Sequence, residues 1–301
     1  MKARVAARQA WSVAMYNFRQ WKKNPRIIVT FALAFILCFL LSNKAVQFAQ
    51  EQGTILQLVE PFVWTFGDAN NILISSLLLV LLFADMPFIC EGTPFYLMRT
   101  SRAAWLWGQV IYICLATLVY IAFILFATSA LCAHLSFIGN QWSETAAMLG
   151  YSGAGEAIAL PAFVKTLEMS TPYECMGTIF LLMLLYTLLM VSIMLAVNIR
   201  RGQVWGVASV FLFSLVGLLL NPQVFGQMFS LPQELMYKAN VAVGWMSPLN
   251  QATYHMHNFG YDLLPRLWQT CLIFAAAIIV LFMTALRGMK KYNFNFTGSG
   301  V

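Results

Sequence analysis

Few side chains in this sequence have the chemistry of catalysis or metal binding, and their settings decide what they can do. Ser152, set between Gly150-Tyr151 and Gly153, with His255 or His257 as a base, would supply the parts of a serine hydrolase. Such a nucleophile needs a buried helix start, whereas Ser152 lies in a polar segment beside Glu144 and Glu156. The pair His255 and His257 offers one ligand spacing only, too little for a metal site, and no H-E-x-x-H or C-x-x-C motif occurs. The six cysteines (Cys38, Cys90, Cys114, Cys132, Cys175 and Cys271) fall in or at the ends of apolar runs. They read as small core residues, with a Cys132–Cys175 disulfide left open. No G-x-x-x-x-G-K-[ST] string is present, so the chain holds no nucleotide phosphate by that device. The expectation is a protein without a catalytic centre, a metal or a bound cofactor of its own.

The elements that carry these residues follow from composition. Of 301 residues, 60% are hydrophobic and only 10% charged, where a soluble domain carries about 25% charged residues. That excludes a soluble enzyme, a disulfide-stapled secreted domain and a disordered tail, and leaves an integral membrane protein. Six apolar runs stand out: Ile27–Ser42, Ile72–Cys90, Trp107–Ala133, Met176–Val197, Gln203–Leu220 and Leu267–Leu286. Their length and lack of period-2 alternation favour helices over barrel strands, so an all-α polytopic protein with six spans over 26–301 is expected. Asp85 and Pro87 interrupt the second run, and the short hinge Asn198–Gly202 forces the fourth and fifth into an antiparallel pair.

Charge sorts the loops. Of 18 basic residues, 14 fall in the N-terminal stretch, the loop after the second run, the hinge and the tail. Lys44, Lys165, Lys238 and Arg266 share the other side with nine of the 11 acids. By the positive-inside rule both termini are cytoplasmic, in a plasma-membrane protein, and the net charge of +7 reflects topology rather than nucleic-acid affinity. The external loops Asn43–Asn71, His134–Cys175 and Asn221–Arg266 are long. The last is apolar enough at Leu218–Phe229 and Val241–Leu249 to predict short helices re-entering the outer leaflet. Within 1–25, Ala7, Ala10, Trp11, Ala14, Phe18 and Trp21 share one helical face opposite Arg4, Arg8, Arg19 and Lys23. This predicts an amphipathic helix at the inner interface, in contact with membrane lipid and ended by Asn24-Pro25.

Apart from Asp85, read as a partner for cytoplasmic Arg or Lys, no ionisable side chain of Asp, Glu, Lys or Arg type occupies a span interior. Ion-coupled carriers place such groups at mid-depth. If this chain transports, its energy comes from elsewhere.

The layout, a basic N-terminal helix and six spans with a re-entrant region before the last, resembles the permease subunit of a type-2 ABC exporter. The strings Glu91-Gly92-Thr93, Leu97-Met98-Arg99-Thr100-Ser101-Arg102 and Trp107-Gly108-Gln109 look like that family's first cytoplasmic loop. Trp245-Met246-Ser247-Pro248-Leu249-Asn250 looks like the segment ahead of its final span. The resemblance implies a separate cytoplasmic ABC ATPase carrying ATP and Mg, and a second permease copy or paralogue. It implies an ATPase-coupling helix in the 91–106 loop, with Glu91, Gly92, Arg99, Ser101 and Arg102 as contacts. It also implies a translocation path or dimer interface on the fifth span, at Gly202, Gly206, Ser209, Phe213 and Gly217. Gly202 and Gly206 form a small-xxx-small pair suited to close helix approach. A lining this free of charge fits an amphipathic or hydrophobic cargo, such as a lipid-like molecule, peptide or drug. An ion-driven carrier or channel, and a sensory or immunity subunit that binds an extracellular peptide, are the alternatives.

Overall fold

The computed structural model describes residues 2–89, 93, 97–98, 100–158, 160, 162–230, 232, 235–260 and 262–292. Helix α1 (Lys2–Arg19) runs through a 3-10 turn (Gln20–Lys23) into α2 (Pro25–Gln52). Next come α3 (Glu60–Phe66) and α4 (Ala69–Phe83), whose axes differ by 89°. After α5 (Arg102–Cys132) follow the short helices α6 (Glu144–Tyr151), α7 (Ala154–Ala157) and α8 (Val164–Met169). Gly202 alone joins α9 (Pro172–Arg201) to α10 (Gln203–Leu219). The apolar third loop forms α11 (Pro222–Met228), α12 (Met236–Met246) and α13 (Pro248–Gln251) ahead of α14 (Leu267–Met289).

The chain is all-helical in character, and α2, α5, α9 and α14 are long and apolar enough to cross a membrane. The other two runs give shorter helices. With 15 and 17 residues, α4 and α10 reach roughly 22 and 26 Å against a hydrocarbon core of about 30 Å. The run from Ile72 stops being helical at Phe83 because Asp85 follows and Pro87 disfavours helical backbone at Met86. At its start Asp68 caps α4, its carboxylate accepting from the amides of Asn70 (3.0 Å) and Asn71 (3.3 Å).

The helices differ in what they bury. The buried stripe of α2 is small (Ala34, Cys38, Ser42, Ala45, Ala49), while Ile28, Ile36, Phe39 and Leu40 point outward. Small residues let helices approach closely, and bulky ones meet lipid without penalty. In α14 the stripe Thr270, Phe274, Ile278, Phe282 and Met289 is buried, with Leu272, Ile279 and Val280 exposed opposite. Helix α9 is the hub, packed against α4, α5, α10 and α14. Its Thr187 hydroxyl lies 3.0 Å from that of Ser76 in α4, and Tyr120 of α5 donates to the Ser75 carbonyl (2.8 Å).

The two ends of the bundle differ. At one, Arg26 at the start of α2 pairs with Asp85 just past α4. There Arg102 opens α5 and donates to the carbonyls of Lys290 (3.2 Å) and Tyr292 (3.4 Å) beyond α14. Since Gly288 of α14 lies against Ile199 and Arg200, the end of α9 belongs to the same face. We call this the basic end. At the far end, strands β1 (Leu56–Gln57) and β2 (Ser136–Phe137) pair in parallel. Beside them the fully buried Glu60 accepts from the amides of Ser143 (2.7 Å) and Gln57 (3.1 Å) and from the Ser143 hydroxyl (2.5 Å). No cation stands opposite it among the described residues. Desolvation outweighs these hydrogen bonds and raises its pKa above the ordinary 4.5.

Candidate functional site: the two ends of the bundle

Helix α1 is seated on the first turns of α5. Gly108 makes the seat: a Cβ there would stand 2.6 Å from Val13 Cβ and 2.7 Å from the Ala10 carbonyl oxygen. Asn17 donates to Gln109 (2.9 Å) and Trp21 to the Tyr112 hydroxyl (2.8 Å). The face predicted to be apolar is therefore divided. Ala10 and Ala14 are buried with Val13 and Asn17, and Phe18 packs edge-on against Tyr112 (5.0 Å between ring centroids). Trp11 is 52% exposed, as a lipid-facing indole would be. Asn17 was missed because an amide reads as a surface residue until its buried partner, 92 positions away, is known. A cleft of about 280 Å³ opens beneath this elbow, between Trp21, Asn24, Phe88 and Tyr112.

Of the predicted coupling residues, Glu91, Gly92 and Arg99 lie outside the described residues. Ser101 caps α5, accepting from the Ala104 amide (3.1 Å), and Arg102 holds the segment just past α14 as above.

The residues predicted on the fifth span divide by face. Gly202 has φ +96°, a conformation L side chains rarely adopt, and forms the whole link between α9 and α10. Gly206 faces inward: a Cβ would fall 1.5 Å from Asn198 Oδ1. The close approach it permits is thus within the chain. Asn198 in turn donates to the carbonyls of Ala84 (3.3 Å) and Met86 (2.6 Å), closing the end of α4. Val210, Ser214 and Gly217 continue that buried stripe, while Val204, Trp205, Phe211, Leu212 and Leu215 are exposed. Ser209 donates back to the Gly206 carbonyl (2.7 Å), and the Phe213 ring lies 6.3 Å from that of Tyr186.

At the far end, α4 and α10 border a cleft of about 450 Å³ with α13 between them. Asn70 from α4, Gly217 from α10, Leu220 just past it, and Asn250 and His255 beyond them line it. Asn250 donates to the Leu220 carbonyl (3.2 Å), closing the end of α10, and Gly217 accommodates Leu249. His255 stacks on Phe163 (3.8 Å between centroids). Burial, then repulsion from Lys165 and His257, lowers its pKa to about 3, so the imidazole is neutral at physiological pH. The cleft offers amides, a neutral imidazole, the Asp68 cap and apolar walls. This is the chemistry of binding an amphipathic molecule.

The residues that could have formed a hydrolase are engaged elsewhere. Ser152 donates to the Met148 carbonyl at the end of α6. His257 is buried, its Nδ1 near the carbonyls of Thr253 (3.0 Å) and Tyr254 (3.1 Å) and its Nε2 3.2 Å from the Thr270 hydroxyl. Lys165 pairs with Asp262 and donates to the His257 carbonyl (2.8 Å), fastening α8 to the loop before α14. Cys132 and Cys175 are buried free thiols. Among the described residues no three His, Cys, Asp or Glu side chains converge on a point.

The architecture is that of a polytopic helical membrane protein. Compared with known protein families, curated proteins and solved structures, the chain matches none.

Proposed function

We propose that this chain is the membrane-spanning permease of an ATP-driven exporter of the type-2 ABC kind. It moves an amphipathic or hydrophobic cargo outward and takes its energy from a separate cytoplasmic ATPase that binds ATP and Mg. In this reading α4, with the segment after it, and α10 complete six crossings of the plasma membrane. The basic end faces the cytoplasm with both termini, and α11–α13 re-enter the outer leaflet. The 91–106 segment meets the ATPase.

One observation carries the proposal. Helix α10 is fastened to the chain along a single narrow stripe, and the rest of its apolar surface is bare. A second permease copy or paralogue laid against Val204, Phe211 and Leu215 would enclose a path running to the far-end cleft. The scarcity of Asp, Glu, Lys and Arg in the span interiors, where Asp85 is the one exception, supports an external energy source.

The test is reconstitution. Purified with its ATPase in proteoliposomes, the chain supports ATP-dependent flux of a fluorescent amphiphile, and single cysteines at Phe211 or Leu215 cross-link two permease chains. Flux driven by an ion gradient without ATP would overturn the proposal. A second reading, recognition of an extracellular molecule, is favoured by the ordered cap of α6–α8 held through Glu60 and Lys165. It predicts binding by the cap without flux.

A further inference from the structure

A third hollow, about 440 Å³, lies between the last turn of α9 and the first turns of α10. Arg200 and Arg201 line one end of it, while Val197, Trp205, Ala208 and Leu212 extend it along the helices towards the middle of the bundle. The two ion pairs among the described residues, Arg26–Asp85 and Lys165–Asp262, involve neither arginine. Both arginines are exposed. Guanidinium groups bind phosphate oxygens through a fork of donors. An indole such as Trp205, which is 60% exposed, settles at headgroup depth. The apolar walls beyond it suit an acyl chain.

From this juxtaposition we propose that the α9–α10 groove holds an anionic phospholipid of the leaflet at the basic end. Its phosphate sits on Arg200 and Arg201, and one acyl chain lies along Ala208 and Leu212. The lining of the groove does not include Val204, Phe211 and Leu215, the residues proposed above to meet a second copy, and its paired arginines select an anionic headgroup. The proposal requires only that the chain spans a membrane and is independent of the exporter reading.

Native mass spectrometry of the full chain, released from nanodiscs of equal parts phosphatidylglycerol and phosphatidylcholine, tests it. The expected result is selective retention of phosphatidylglycerol. Arg200→Gln with Arg201→Gln lowers that retention about 25-fold, roughly fivefold per cation near a charged membrane surface. Lys290→Gln with Lys291→Gln removes the same charge nearby and leaves retention unchanged. Ala208→Trp keeps both arginines, fills the groove and abolishes retention, which carries the test if the arginine variant does not fold. Equal retention of the two lipids overturns the proposal, as does undiminished phosphatidylglycerol retention in Ala208→Trp.

Discussion

Replacing Gly206 by Ala tests the joint between α9, α10 and the end of α4. The new Cβ would stand 1.5 Å from Asn198 Oδ1 and 3.0 Å from the Met194 carbonyl oxygen, so Asn198 must leave its position. With it go its hydrogen bonds to Ala84 and Met86, each worth about 0.6–1.7 kcal/mol in a membrane interior. Residual crowding against Met194 adds about 1 kcal/mol or more, and the better helix propensity of Ala returns about 1 kcal/mol. The net loss is about 1–4 kcal/mol. The cause is identified by a double-mutant cycle with Asn198→Ala, which removes the obstructing amide. In that background Gly206→Ala becomes nearly neutral, a coupling of at least about 1 kcal/mol. Equilibrium unfolding in mixed micelles, followed by tryptophan fluorescence, reads all four corners. An equal penalty for Gly206→Ala in both backgrounds would refute the argument.

Four further outcomes follow from the same contacts. Gly108→Ala drives a methyl into Val13 and the Ala10 carbonyl, lifting α1 off α5 at about 1–3 kcal/mol; protease cleavage within α1 accelerates while the unfolding of the remaining helices is little changed. Glu60 has a raised folded pKa, so its contribution to stability is full below the ordinary 4.5 and is lost as pH rises through the folded value. Glu60→Gln flattens that part of the pH–stability profile measured by thermal unfolding, whereas Glu60→Leu orphans the Ser143 and Gln57 donors at about 2–5 kcal/mol. Asp85→Asn costs less than about 1 kcal/mol, because the pair with Arg26 is exposed (42% and 56% of the side chains); a complete loss of flux in that variant would instead give Asp85 a role in handling cargo. Gly202→Ala meets no atom within 4 Å yet holds a φ of +96°, which strains an L residue by about 1–3 kcal/mol; it lowers ATP-driven flux, read in proteoliposomes, more than it lowers expression.

How far these features were legible depends on their range. The long helices were readable because apolar length is a local property, and so were the N-terminal helix and the helical nature of the third loop. The pairing of Asp85 with an arginine was anticipated in kind, since a lone acid near a basic end has few alternatives. Gly206 was singled out for close approach, but its spacing from Gly202 pointed outward to another chain. The neighbour it serves is Asn198, across a turn and one helix away, and no period reveals an amide that closes a third helix. Glu60 was equally hidden: nothing in the sequence separates it from the other eight acids of the external loops, and the partner that holds it, Ser143, lies 83 residues later. The lipid groove required the angle between α9 and α10, although Arg200, Arg201 and Trp205 were all visible as residues.

The contacts at the basic end share a geometry that bears on mechanism. Asn198 ties the end of α4 to α9, Asp85 ties the next turn of chain to α2, and Arg102 ties the start of α5 to the tail beyond α14. The chain between Asp85 and Arg102 is therefore anchored at both ends. Under the proposed function, a push on that segment by a closing ATPase reaches the end of α4 and, through Asn198, the turn of α9 that precedes Gly202. There Gly202, of unusual φ, is the whole link between α9 and α10, and the proposed function makes it the point about which α10 tilts. At the opposite face α4 and α10, with α13 between them, border the far-end cleft. Under the proposed function, a small rotation at the basic end would change the cleft's width with no charged relay through the bilayer.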